Sequence, residues 1–191
     1  MAYADLVSGM ARKTNSGNPS LRLCFLLLAL IVSGCTKLAS EYTISQQNIE
    51  AAREVPSNLV LGAFTGSEAR EQCRGGSISA GKNATFATYV RDAFSKVIRI
   101  SKQADKGKTI ELTGSLKEIE LVCAISDASW TIDMDFAVDG QDPFNVRIVQ
   151  PFDGHFVGAV VFQRALDALI VTVQQIVDEV LRSEQVQSAA I

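Results

Sequence analysis

The chain is poor in the residues on which most enzymes depend. It holds one histidine among 191 residues, one tryptophan, four prolines and four cysteines. A lone His155 leaves no histidine-rich metal centre and no triad with a spare partner, because such sites gather several ligating or proton-carrying groups at one point. No Cys-x-x-Cys pair is present, so dithiol redox chemistry has no motif to stand on. Positive charge is not in excess: 18 Lys and Arg stand against 21 Asp and Glu, a formal net charge of −3. Without a basic stripe to neutralise phosphates, nucleic acid is not an expected partner. There is no uninterrupted apolar run of the roughly 20 residues that a spanning helix needs. Nor is there an internal repeat or a low-complexity tract. What remains is one domain's worth of chain with 47% hydrophobic residues, enough for a real core.

The N-terminal residues read as an address. Arg12, Lys13 and Arg22 precede the apolar run Leu23–Val32, "LCFLLLALIV", and the small residues Ser33 and Gly34 lead to Cys35. A positive flank, a short apolar centre and a small-residue exit are the parts of an export signal. As a helix the run rises only about 15 Å, half the hydrocarbon thickness of a bilayer. Val32-Ser33-Gly34-Cys35 resembles a bacterial lipobox, in which the cysteine sulfur receives a diacylglycerol and the chain is cut in front of it. Small side chains let the peptidase reach the backbone, and the thiolate is the nucleophile for lipid transfer. Cys35 is therefore the expected lipidation site, residues 1–34 the leader, and Cys24 is lost with it. Asp5 falls where leaders usually carry no acid, so Met1 and Met10 both stand as candidate starts.

Each buried CH₂ of an acyl chain contributes about 0.8 kcal/mol, so two or three chains make a firm anchor. The residue after the cysteine is Thr36, not the Asp that favours inner-membrane retention in Gram-negative bacteria, and Lys37 and Leu38 give no contrary signal. The expected location is the outer membrane with the body facing the periplasm, the inner membrane being the alternative. Loss of the leader removes Arg12, Lys13, Arg22 and Asp5, leaving 15 basic and 20 acidic side chains, a formal −5. That charge suits a body standing off an anionic surface.

Residues 35–56 are expected to be the lipidated cysteine and a polar tether, with at most a short strand at Tyr42–Ile44. Residues 57–186 form the expected single domain, and 187–191 a frayed tail. Asn58–Phe64 reads as a strand. A Gly/Ser-rich loop follows, Thr65–Lys82. Phe86, Val90, Ala93, Phe94, Val97 and Ile98 predict a helix over 84–100, with Asn83 as its N-cap. "ADKGK", Ala104–Lys108, reads as a turn. A long strand over 109–125 changes the parity of its apolar residues, which predicts a bulge near Lys117-Glu118. Trp130, Ile132, Met134, Phe136 and Val138 alternate cleanly with Thr131, Asp133, Asp135 and Ala137. "DGQD", Asp139–Asp142, closes a hairpin, and Phe144, Val146 and Ile148 begin the returning strand. A stripe from Val161 to Val180 predicts a helix over 157–182. The expected fold is α+β: an antiparallel sheet of about four strands with two helices on one face, in the order β-α-β-β-β-α.

Four features invite a chemical reading. "GGSISAGKN", Gly75–Asn83, carries G-x-x-x-x-G-K from Gly76. A working P-loop joins a strand directly to a helix and continues with Ser or Thr; Asn83 stands in that place, so no nucleotide is expected. Asp133, Asp135 and Asp139 could ligate a hard cation, but a solvated sheet face accounts for them and no metal is expected. His155 in "FDGHF" reads as a turn or cap residue. Cys73 and Cys123 remain once Cys35 is acylated. An even pair in an oxidising compartment favours a disulfide; two separate thiols, with Cys123 in the core, are the alternative. No catalytic residue and no cofactor is expected.

At this point "ATYVRDAFSKVI", "KTIELTGSLKEIEL", "WTIDMDFAVDG" and "VFQRALDALIVTVQQIVDEVL", together with the lipobox, resemble the small envelope lipoproteins of the YajG type and the wider set of lipoprotein domains that assist ABC-type lipid transport. The resemblance spans about residues 58–182 and is one of pattern and order. It implies a strand-helix unit, an antiparallel meander and a long C-terminal helix, and a non-enzymatic role. It supplies no catalytic residue, and neither the Cys73/Cys123 pair nor the Gly-rich loop belongs to it. The expected role is a lipid-anchored interaction or accessory module whose partners are the membrane and another envelope protein. A periplasmic enzyme or small-ligand binder is the competing class. A deep pocket with convergent polar groups would favour the second; an exposed apolar patch or a free sheet edge would favour the first.

Overall fold

Period-two alternation places Trp130, Ile132, Met134, Phe136 and Val138 on one face of a strand. The computed structural model describes residues 36–101 and 109–189, and sets that strand inside a four-stranded sheet. In chain order the elements are β1 (Thr36–Leu38), α1 (Gln46–Glu54), β2 (Leu59–Thr65), β3 (Arg70–Cys73), β4 (Gly76–Ser79) and α2 (Phe86–Ser101), then β5 (Ile110–Val122), β6 (Asp127–Val138), β7 (Phe144–Asp153), α3 (Gly158–Leu181) and α4 (Glu184–Ser188). The main sheet runs β2-β5-β6-β7, and a second, three-stranded sheet runs β1-β4-β3. Cys35 and the leader lie outside the described residues, as does the "ADKGK" turn.

The fold is α+β, as the periodicity predicts, but the main sheet is not wholly antiparallel. β5, β6 and β7 form an antiparallel meander, while β2 joins β5 in parallel. The reason is the connection: α2 lies between β2 and β5, and a crossover returns the chain in the same direction. The bulge in β5 falls where the parity changes, with the β6 register shifting between Leu116 and Glu118. The extra residue puts Ile110, Leu112, Leu116, Ile119 and Leu121 on one buried face. Gly114 sits on that face beneath the Phe64 ring; a Cβ there would lie 2.9 Å from a ring carbon.

α2 and α3 cover this face side by side. Phe94 of α2 packs 5.7 Å from the Phe64 ring centroid and 5.9 Å from that of Phe136. Phe86 meets Trp130 edge-on at 5.9 Å. The Trp130 indole N–H donates to the Ala165 carbonyl of α3 at 2.7 Å, so the largest buried ring keeps its one polar atom paired. Full burial of each such side chain contributes about 1.5–3 kcal/mol. By length and apolarity α3 could cross a bilayer. Its stripe of Val161, Leu169, Val173, Ile176 and Val180 is instead buried in the core.

Residues 36–56 are not a tether. Thr36–Leu38 is β1, paired to β4, and Gln46–Glu54 is a helix. Ser45 caps α1 by accepting from the Asn48 N–H at 3.1 Å, and Ala51 and Ala52 are fully buried. The small apolar face of two alanines made this helix look polar in sequence. Tyr42–Ile44 forms no strand; the Tyr42 ring is buried in the core. The tail does not fray from residue 187 either. Ser183 caps the short α4, and Val186 is buried.

The Gly-rich segment is a β3–β4 hairpin with Arg74 and Gly75 at its turn. Asn83 does not cap α2. It adopts φ 65°, the left-handed region that Asn tolerates. The cap is Thr85, which trades hydrogen bonds with Thr88: the Thr85 N–H donates to the Thr88 hydroxyl at 2.9 Å, and the Thr88 N–H to the Thr85 hydroxyl at 3.3 Å.

Candidate functional site

Cys73 at the end of β3 and Cys123 just after β5 form a disulfide, with Cα atoms 5.3 Å apart. β2 ends opposite Ser115, so the second half of β5 has β6 on one side only. β3 comes to the vacant side, and the bridge fastens the hairpin there. Glu71 of β3 accepts from the Leu121 N–H; burial nonetheless dominates and pushes its carboxyl above the ordinary range.

The segment resembling a P-loop supplies β4, the central strand of the small sheet. It pairs with β1 on one side and β3 on the other. Its amides face strand partners instead of converging on a common point, which is what a phosphate requires. The Ser77 hydroxyl lies 3.0 Å from that of Thr36, and the Ser79 hydroxyl donates to the Gly81 carbonyl at 3.1 Å.

Asp133 and Asp135 share the solvent face of the main sheet, but a polar ladder holds them. Asn145 donates to Asp133 at 2.6 Å and to Asp135 at 2.9 Å. Arg147 reaches Glu118 at 2.5 Å and Asp133 at 2.9 Å, and Lys117 stands 3.5 Å from Asp135. The Asn145 hydrogen bond, helped by Arg147 and Lys117, holds the Asp133 carboxyl below its ordinary range despite the opposing effect of burial. Asp139 is elsewhere, accepting from the Glu111 N–H at 3.1 Å. Among the described residues no three His, Cys, Asp or Glu are grouped to hold a metal ion. His155 accepts from the Val157 N–H at 3.0 Å through Nδ1, a turn role at the entry to α3.

Sequence reasoning missed a buried polar cluster that seats α1. Asn48 is fully buried; it accepts from the Tyr42 hydroxyl and donates to the Gln174 carbonyl of α3. Burial raises the Tyr42 phenol well above its ordinary range. Nearby, Tyr89 donates to the Ser40 carbonyl at 2.8 Å, and burial pushes its pKa up to about 12. Neither tyrosine is poised to ionise, so the cluster reads as architecture.

The main sheet offers its edges to a partner. β7 is a terminal strand, with no strand on its outer side among the described residues. Pro151 within it removes one donor, a common guard on an edge. Beside it runs an open groove of about 640 Å³, lined by Phe144, Val146 and Ile148 of β7, by Gln175 and Asp178 of α3 and by Arg182 at its C-terminal cap. Its arginine is paired: Arg182 bonds Asp178 at 3.0 Å and Glu54, outside the lining, at 3.3 Å. At the opposite edge Arg91 donates to the Gly62 carbonyl of β2 at 3.1 Å.

The sequence matches no family model and no curated protein. Among solved structures it is similar to a Xanthomonas campestris protein of family DUF330, with a TM-score of 0.53 at 15% identity, over 81% of this chain and 99% of that one. A candidate lipoprotein of Caulobacter crescentus CB15 matches with a TM-score of 0.41 at 8% identity, over 70% of this chain and 89% of that one. The first likeness establishes a shared fold.

Proposed function

We propose that the protein is a lipid-anchored, non-catalytic lipoprotein of the bacterial envelope that acts as an interaction or accessory module in the periplasm. One observation carries this reading: "VSGC", behind a basic flank and a short apolar run, ends one residue before β1 begins at Thr36. The Cys73–Cys123 disulfide supports it, because such bridges persist in oxidising compartments. The open groove and free β7 edge support binding of a partner by surface contact or strand addition. The absence of Asp after Cys35 favours the outer membrane.

A more specific form of the reading is an auxiliary subunit of an ABC-type lipid transport system. It is supported by the resemblance over residues 58–182. Labelled palmitate should enter the wild-type chain and not Cys35→Ser; label in both would remove the anchor. A photo-crosslinker at the exposed Val149 of β7 should then capture an envelope protein from intact cells. Capture of a permease or its substrate-binding partner supports the auxiliary role; other envelope partners leave only the general one.

A further inference from the structure

One end of the molecule carries apolar side chains that the core does not use. Phe156 is 71% exposed, Ile125 59%, Val157 41% and Val160 36%. Two chain segments bring them together. Gly154 lies so close to the β5–β6 turn that a Cβ on it would sit 2.3 Å from the Ile125 carbonyl oxygen. Phe156 follows two residues later, Val157 is the residue before α3, and Val160 lies in the first turn of that helix. The loop is held firmly. Arg164 donates to the Asp153 carbonyl at 3.2 Å and the Gly154 carbonyl at 3.1 Å, and the His155 ring stacks on Phe156 at 4.6 Å. A fixed scaffold therefore presents one aromatic and three aliphatic side chains to the outside.

The described chain begins at this same end. Thr36 pairs with Ser77, next to the β3–β4 turn. Gly75 in that turn abuts the start of α3: a Cβ on it would lie 3.2 Å from the Gly158 carbonyl carbon. Lys37 places its Nζ 5.7 Å from the Phe162 ring centroid. β1 is thus pinned against the first turns of α3. Cys35 is bonded to Thr36, so their Cα atoms are about 3.8 Å apart. No spacer separates the expected lipid from the folded body, and acyl chains on Cys35 bring this end to the headgroups.

We propose that Ile125, Phe156, Val157 and Val160 form a membrane-contact patch that enters the interface of the bilayer holding the acyl chains of Cys35. The proposal rests on the reading that Cys35 is lipidated. A bilayer is the occupant because the covalent anchor delivers one to these loop tips, whereas nothing delivers a protein partner there. The charges around the patch are mixed, with Lys37, Arg74 and Arg164 against Asp127 and Asp153. Contact is therefore driven by apolar insertion and needs little anionic lipid.

The test uses the full lipidated protein in vesicles of phosphatidylethanolamine and phosphatidylglycerol, with Phe156→Trp as the probe. Phe156 is exposed, so the change does not strain the core, and native Trp130 is buried and constant. Val171→Trp, about 20 Å further along α3, is the control. Expected for Phe156→Trp are a shift to shorter wavelength, protection from acrylamide and loss of intensity with brominated acyl chains; Val171→Trp shows none of these. An indole at 156 that stays open to acrylamide and blind to brominated lipid, on a chain whose mass confirms the acyl groups, overturns the patch and leaves the anchor standing. A shift that grows with protein density without bromine quenching assigns the surface to a second copy and also overturns it. A mature chain without lipid in the mass spectrum overturns the anchor, and the patch with it.

Discussion

Asn48 and Gln174 meet across 126 residues of sequence: the Asn48 side-chain amide donates to the Gln174 main-chain carbonyl at 2.9 Å. The Gln174 side chain returns the link by donating to the Thr43 carbonyl at 2.7 Å. These two bonds clamp the segment around α1 onto the middle of α3. Asn48→Ala removes a fully buried amide and leaves its two partners, the Tyr42 hydroxyl and the Gln174 carbonyl, without that bond. The expected loss is about 1–3 kcal/mol, read as a lower denaturant midpoint at an unchanged slope.

The bridge between Cys73 and Cys123 closes a separation of 50 residues. Chain entropy alone assigns such a loop about 4 kcal/mol as an upper guide. The oxidised protein should show no reactive thiol at either position. Cys73→Ser with Cys123→Ser should unfold at a clearly lower temperature, and added reductant should lower the wild type to match it without affecting the double variant.

Acid should weaken the polar ladder in a defined window. The folded Asp133 carboxyl lies below its unfolded value of 3.8. Its stabilising contribution is therefore present above that value and is lost as pH falls through the folded pKa. Asp133→Asn should be less stable than wild type at neutral pH, and the gap should close below about pH 4. A constant gap from pH 7 to pH 2 would count against this assignment.

Gly154 tests the packing of the β5–β6 turn. A methyl group there meets the Ala124 and Ile125 carbonyls at 2.5 and 2.3 Å, and these are main-chain atoms that cannot swing aside. Gly154→Ala should cost about 1–3 kcal/mol, visible in thermal unfolding. Gly140→Ala is the contrast: open space surrounds its Cβ, and its φ of 77° is the only strain.

Patterns carried by strong periodicity were legible in the sequence. The α2 and α3 stripes, the β6 alternation and the Leu116/Glu118 bulge all rest on large apolar side chains whose spacing follows the backbone repeat. What stayed hidden lacked that signal. α1 buries alanines and an asparagine, so its inner face resembles its outer one. β3 and β4 are four residues each, sit in a Gly/Ser-rich stretch, and owe their place to a disulfide and to β1. The parallel pairing of β2 with β5 is a choice of neighbour, which residue spacing does not encode. On the functional side, the cysteine pair could be read from composition. The exposed cluster at Phe156 could not, because an apolar residue in a turn announces neither burial nor exposure.

With the proposed lipid on Cys35 and no spacer before Thr36, the body would act as a ruler. α3 starts beside β1 and runs 24 residues, about 36 Å at the helical rise. The groove between Arg182 and the start of β7 lies at its far end. Standing upright on the membrane, the protein would hold that groove at a set height of about this length. It would meet only partners whose own surface reaches that height, and lengthening the junction at Thr36 would change the height it samples.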